Sequence, residues 1–158
     1  MKKGFTLVEL MMVMVVMAII ATLATGAAMK SIQQGKEQRI NATSTVLQMA
    51  LMNYRTVEGH WPLATGDTVS TNKVVYSGTK NAEVFAPLLE STKREYVDTS
   101  ALLTQVPGLG IISLREALAQ KVAPGSCPIG YPDPSKSGSF NYFKVTINYD
   151  YDTVYVTR

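Results

Sequence analysis

Among its 158 residues the chain has one cysteine, Cys127, and one histidine, His60. A lone cysteine excludes any intrachain disulfide, although small secreted domains often rely on such bridges. The fold must stand on its core, its helices or its neighbours. The strings G-x-x-x-x-G-K-[ST], H-E-x-x-H and G-x-S-x-G are all missing. Gly108-Leu109-Gly110 lacks the third glycine of a dinucleotide fingerprint. Nothing here resembles an enzyme site. His60, beside Trp61, reads as a packing or hydrogen-bonding residue, because catalysis or ligation needs a second convergent group. Charge of one sign is also scarce. The formal net charge is +3, and setting Lys2 and Lys3 aside leaves 13 Lys and Arg against 12 Asp and Glu. That balance argues against a polyanion-binding protein, and no specific nucleic acid partner is expected.

What is present is unevenly spread. Apolar residues make up 46% of a chain long enough for one domain plus an anchor. The first thirty residues hold six of the eight methionines and no aspartate. Lys2 and Lys3 form a basic start that favours keeping that end in the cytoplasm. Leu10 to Met29 carries no charge, and a run of about 20 such residues can cross a bilayer as a helix. A secretory signal peptide would have a shorter apolar core and a small-residue cleavage site. Ala24-Thr25-Gly26-Ala27-Ala28 can imitate that site, so this reading stays open, but it leaves Glu9 unexplained.

A charged side chain costs about 2.5–3.5 kcal/mol at the centre of a spanning helix, and less near the interface. Glu9 lies four residues after Phe5, behind Gly4 and the short basic leader. Lys2-Lys3-Gly4 followed by Phe5-Thr6-Leu7-Val8-Glu9 resembles the prepilin cleavage and methylation motif of the type IV pilin and pseudopilin superfamily. The resemblance implies that a prepilin peptidase/methyltransferase cuts after Gly4 on the cytoplasmic side and methylates Phe5. It implies a division into a leader (1–4), a transmembrane and filament-core helix (5–29), an amphipathic half of that helix (30–57) and a globular head (58–158). Glu9 then meets a neighbouring subunit's N-terminal amine. Inside an apolar bundle either charge alone would be heavily desolvated, and pairing offsets much of that cost. Such a pair marks register, because subunits docked one step out leave both charges unpaired.

Helical character continues past the membrane run, with no proline from Met29 to Tyr54. Ile40, Leu47 and Tyr54, with Thr43, Ala50 and Val57, make an apolar stripe opposite Gln, Asn, Ser and Arg. Gly26 and Gly35 interrupt the helix. They permit either local stretching or close helix packing. Residues 68–77 read as a strand or a loop, and Asn81 as the cap of a short helix over 82–92 containing Pro87. A helix over 113–122 follows the Pro107–Gly110 loop. Residues 124–139 are all turn chemistry. The end, from Phe140, alternates with period two and predicts a β-hairpin with its turn near Asp150–Thr153. The expected fold is α+β: a long N-terminal helix, half transmembrane and half amphipathic, packed on a small antiparallel sheet.

Asn148, Asp150 and Asp152 lie at alternate positions, a spacing from which oxygen ligands can gather calcium. Secretion pseudopilins often hold calcium in this region, so the resemblance keeps calcium as a candidate. The residues themselves read first as ordinary solvated acids near a turn, because the EF-hand glycine and glutamate are missing. Cys127 is read as a free or buried thiol, with an intermolecular disulfide the alternative. No cofactor is required.

The implied role is a structural filament subunit, with further copies of itself as partners in a helical homopolymer. An inner-membrane platform and ATPase motor, and minor pilins or pseudopilins, are implied with it. The chain would sit in the inner membrane before assembly and in a periplasmic or extracellular filament afterwards. The absent cysteine pair, Glu58-Gly59-His60-Trp61-Pro62 and the acidic C-terminal strands favour a type II secretion pseudopilus. A type IV pilus for adhesion, twitching or DNA uptake is the alternative. A membrane-tethered binding protein or enzyme is the rival of another class, and would show a cleft with convergent polar groups. Lys30, Lys36 and Arg39 form a basic cluster that suits lipid headgroups better than DNA.

Overall fold

Helix α1, Leu7–Glu58, is a single run of 52 residues. The computed structural model describes residues 6–62, 64, 72–90 and 95–158. The helix ends where a glycine allows it to: Gly59 takes a left-handed φ of 79° and its N–H bonds back to the Arg55 carbonyl at 3.0 Å. Only glycine adopts that closing geometry at little cost. Pro62 follows. The chain divides into two compact units, Met1–Glu37 and Gln38–Arg158.

In the first unit the described side chains of α1 touch little of their own chain. Leu7, Met12 and Leu23 are each more than 70% exposed, and the apolar side chains between them are exposed as well. Among the described residues this is the one helix long and apolar enough to cross a membrane.

The second unit buries its apolar residues. Ile40, Leu47, Ala50, Leu51 and Tyr54 of α1 enter a core shared with the rest of the unit. Val57, expected on the same stripe, is exposed instead, because the core-facing arc of the helix closes at Tyr54. The other elements are β1 (Lys73–Tyr76), α2 (Asn81–Glu90), β2 (Leu103–Val106), β3 (Gly110–Ser113), α3 (Leu114–Ala119), β4 (Ile129–Pro132), β5 (Phe140–Tyr142), β6 (Lys144–Asn148) and β7 (Thr153–Thr157). Among the described residues they form antiparallel sheets in the orders β1-β6-β7 and β3-β2-β4-β5. Together with α1 they make the expected α+β, pilin-like arrangement of a long helix followed by small antiparallel sheets.

The C-terminal hairpin forms, with its turn over residues 149–152 and with Val145 opposite Val156 and Ile147 opposite Val154, all buried. Its predicted start at Phe140 is corrected. Residues 140–142 pair with β4 in the other sheet, and the chain changes sheets at Phe143. Two further expectations change. The stretch read as all turn contains β4, whose Ile129 and Gly130 are buried. A side chain at Gly130 would collide with the Asn141 carbonyl and the Phe140 ring, so a glycine that looked like a turn residue is a packing residue. The Pro107–Gly110 loop is the connection of the β2–β3 hairpin, with Gly108 at φ 84°. Residues 65–71 and 91–94, parts of two predicted elements, lie outside the described residues.

Candidate functional site

Two places matter: the start of α1, and the junction of its last turn with the C-terminal hairpin. At the first, Glu9 and Thr6 hold one another. The Thr6 N–H and hydroxyl both donate to Glu9 Oε2, at 3.0 and 2.9 Å. The Glu9 N–H donates to Thr6 Oγ1 at 3.3 Å. This is a reciprocal capping box, which satisfies donors that a helix start leaves free. The carboxylate also sits at the positive end of the helix dipole. Glu9 is exposed, so within one chain its charge has a local partner and an open side. Thr6 is the residue that the sequence reading passed over, although Thr-x-x-Glu is a legible capping signal. Gly4 and Phe5 lie outside the described residues.

At the second place, Asp152 joins three segments. Its Oδ1 accepts from Arg55 Nε of α1 at 3.0 Å and from Trp61 Nε1 at 2.8 Å. Arg55 Nη1 also donates to the Gly59 carbonyl. The Arg55 hydrogen bond, then that of Trp61, hold the Asp152 carboxyl below the usual aspartate range. Tyr54 meets the rings of His60 and Tyr96 edge-on, at 5.8 and 5.5 Å. Burial, then Glu58, push the Tyr54 phenol up. His60 is thus part of an aromatic cluster.

The proposed calcium oxygens share one turn, and those of Asn148 and Asp152 have other partners. Asn148 Oδ1 accepts the backbone N–H groups of Asp150 and Tyr151, at 3.1 and 3.4 Å. Asp152 is engaged as above. Among the described residues no group of three or more His, Cys, Asp or Glu is gathered for a metal. An ion at Asn148, Asp150 and Asp152 would first have to draw Asp152 from Arg55 and Trp61. Cys127 is buried and free, and burial pushes its thiol up.

Asn81 does not cap α2. It is the first helical residue, fully buried, and its side chain stitches the sheets together. Nδ2 donates to the carbonyls of Ile129 and Phe143, at 2.7 and 2.8 Å. Oδ1 accepts from the Ile129 N–H at 3.1 Å. Ile129 opens β4, and Phe143 is where the chain changes sheets.

Residues 1–25 match the family model described as the prokaryotic N-terminal methylation motif. That motif is the type IV pilin and pseudopilin signature, and the order of a long N-terminal helix followed by small antiparallel sheets is pilin-like. No curated protein and no solved structure matches the chain. The motif points to a structural subunit rather than an enzyme, to prepilin-peptidase processing, and to anchoring in a membrane through α1.

Proposed function

We propose that this chain is the building subunit of a filament assembled from the inner membrane, most simply a type II secretion pseudopilus. The observation that carries the reading is the methylation motif ending in a helix that is uncharged from Leu10 to Met29 and exposed along its described side chains. Such a surface is covered by lipid before assembly and by other copies afterwards. Processing after Gly4 frees the Phe5 amine, which pairs with Glu9 of a neighbouring copy and takes the open side of that carboxylate. The N-terminus starts in the cytoplasm, and a platform and ATPase motor lift subunits from the bilayer. A type IV pilus built by the same steps is the second reading. The absence of a cysteine pair favours the pseudopilus. A calcium ion enters the proposal at one place only, the Asn148–Asp152 turn, where it would replace Arg55 as the partner of Asp152.

The test is Glu9→Ala and Glu9→Gln expressed beside the wild type with the peptidase and assembly machinery. Cleavage after Gly4 is expected to persist while sheared filaments fall at least tenfold. Normal assembly by both variants would reduce the helix to an anchor.

A further inference from the structure

The second unit carries a knob and a hole at opposite ends of the β1-β6-β7 sheet. The knob is Tyr151, in the β6–β7 turn and 77% exposed. Its turn is held from several sides. Asn148 Oδ1 accepts the N–H groups of Asp150 and Tyr151. The Tyr149 N–H donates to the Asn72 carbonyl at 2.9 Å, and Asp152 is tied to Arg55 and Trp61. A turn fixed in this way, with its aromatic ring in solvent, has met its ordering cost before any partner arrives. Tyrosine so placed is a common binding anchor, because its ring gains on burial and its hydroxyl can still hydrogen-bond.

The hole is a cleft of about 510 Å³, lined in part by Thr79, Gln105, Val106, Pro107, Pro128 and Tyr142. None of its described lining residues is charged. The Tyr142 hydroxyl donates to Gln105 Oε1 at 3.1 Å, so the Gln105 amide N–H groups remain to donate. Gly125 also lines the cleft, and a Cβ there would meet nothing within 4 Å. The fold itself therefore does not require a glycine at 125, whereas an open cleft does. Apolar walls with amide donors suit a neutral ring that carries an acceptor oxygen, and tyrosine is one. Charge agrees with this match. Exposed Lys80 follows Thr79 and exposed Lys144 lies two past Tyr142, while exposed Asp150 precedes Tyr151.

Register keeps the two features apart. β1 and β6 pair Lys73 with Asn148 at the end near Tyr151, and Tyr76 with Val145 at the other. Thr79 follows Tyr76 and Tyr142 precedes Lys144, so both lie at the end away from the knob. A contact between copies then uses a different surface on each. Such head-to-tail contacts repeat into open filaments unless their rotation closes a ring.

We propose that Tyr151 of one copy seats in the Gln105–Pro128–Tyr142 cleft of the next, so that the heads take part in fixing the filament's repeat. The proposal rests on the filament reading above.

The experiment uses the full chain with its peptidase and assembly machinery. Tyr151→Ala removes the knob and Gly125→Leu fills the hole. Each should lower recovery of sheared filaments at least tenfold, while cleavage after Gly4 and head Tm stay unchanged. Tyr151→Phe keeps the ring and should retain most of the yield. In recovered filaments, a short bismaleimide applied to the double variant Thr79→Cys with Asp150→Cys should give a ladder of dimers, trimers and higher species. Either substitution alone should leave monomer, since Cys127 is buried. Normal recovery of both Tyr151→Ala and Gly125→Leu, or double-variant filaments that yield no ladder, would overturn the head contact and leave the filament reading standing. If the wild type forms no filament, both fall.

Discussion

The two units of this chain use apolar residues in opposite ways. From Leu10 to Leu23 every side chain but Thr22 is apolar, yet all of them are exposed. From Gln38 onward, residues such as Leu47, Phe85, Phe143 and Ile147 are almost wholly enclosed by their own unit. Exposed apolar surface of that extent marks a membrane or protein partner. The first unit is therefore written for surroundings outside the chain, and the second for itself. Substitutions should separate along the same line: changes near the N-terminus alter membrane insertion or assembly, and changes to enclosed residues of the head alter stability.

The largest stability effect expected is at Asn81. Asn81→Ala leaves the Ile129 N–H and the Phe143 carbonyl without their buried partner, at roughly 1–3 kcal/mol for each orphaned group. A loss of about 3 kcal/mol, or roughly 10 °C in Tm, is expected by thermal denaturation. A shift below two degrees would show that the sheets do not depend on this stitch. Next comes Leu51→Ala, where loss of an enclosed isobutyl group is expected near the low end of about 2–5 kcal/mol. Gly130→Ala should follow at about 1–3 kcal/mol, through its collision with Phe140 and Asn141.

Val13→Ala sharpens the comparison from the other side. Its side chain is exposed, so head Tm should stay within about 0.5 kcal/mol equivalent of wild type. A larger fall would mean that the first unit supports the second.

The smallest effect should be electrostatic. Because the Asp152 carboxyl is held below the ordinary aspartate value of 3.8, its contribution is complete above that pH and fades as pH drops through the lower folded value. Asp152→Asn should flatten the acid limb of a Tm–pH curve slightly and leave Tm at pH 7 a little reduced. An unchanged acid limb would show that the Arg55–Trp61–Asp152 junction is incidental.

The sequence made the anchor legible because few physical needs compete there. A spanning helix requires length and apolarity, and Glu9 stands out against both. The C-terminal hairpin was legible for a similar reason, since Val145 and Ile147 alternate with polar residues. What stayed hidden depended on distant residues. Asn81 looks like a cap from its neighbours alone, and only the fold brings Ile129 and Phe143 to it. Gly130 sits among prolines, serines and glycines, so local composition read a buried strand as turn. At the candidate site Glu9 was read from spacing, and Thr6 was missed although the capping signal was local. The partners of Asp152 could not be found, because Arg55 is 97 residues away.

The most direct test of the central claim is the intact mass and N-terminal sequence of the chain recovered from sheared filaments. The account predicts a subunit that begins at Phe5, carries one methyl group and retains all of α1. A chain beginning near Ala28, or one still bearing Met1 to Gly4, would contradict it.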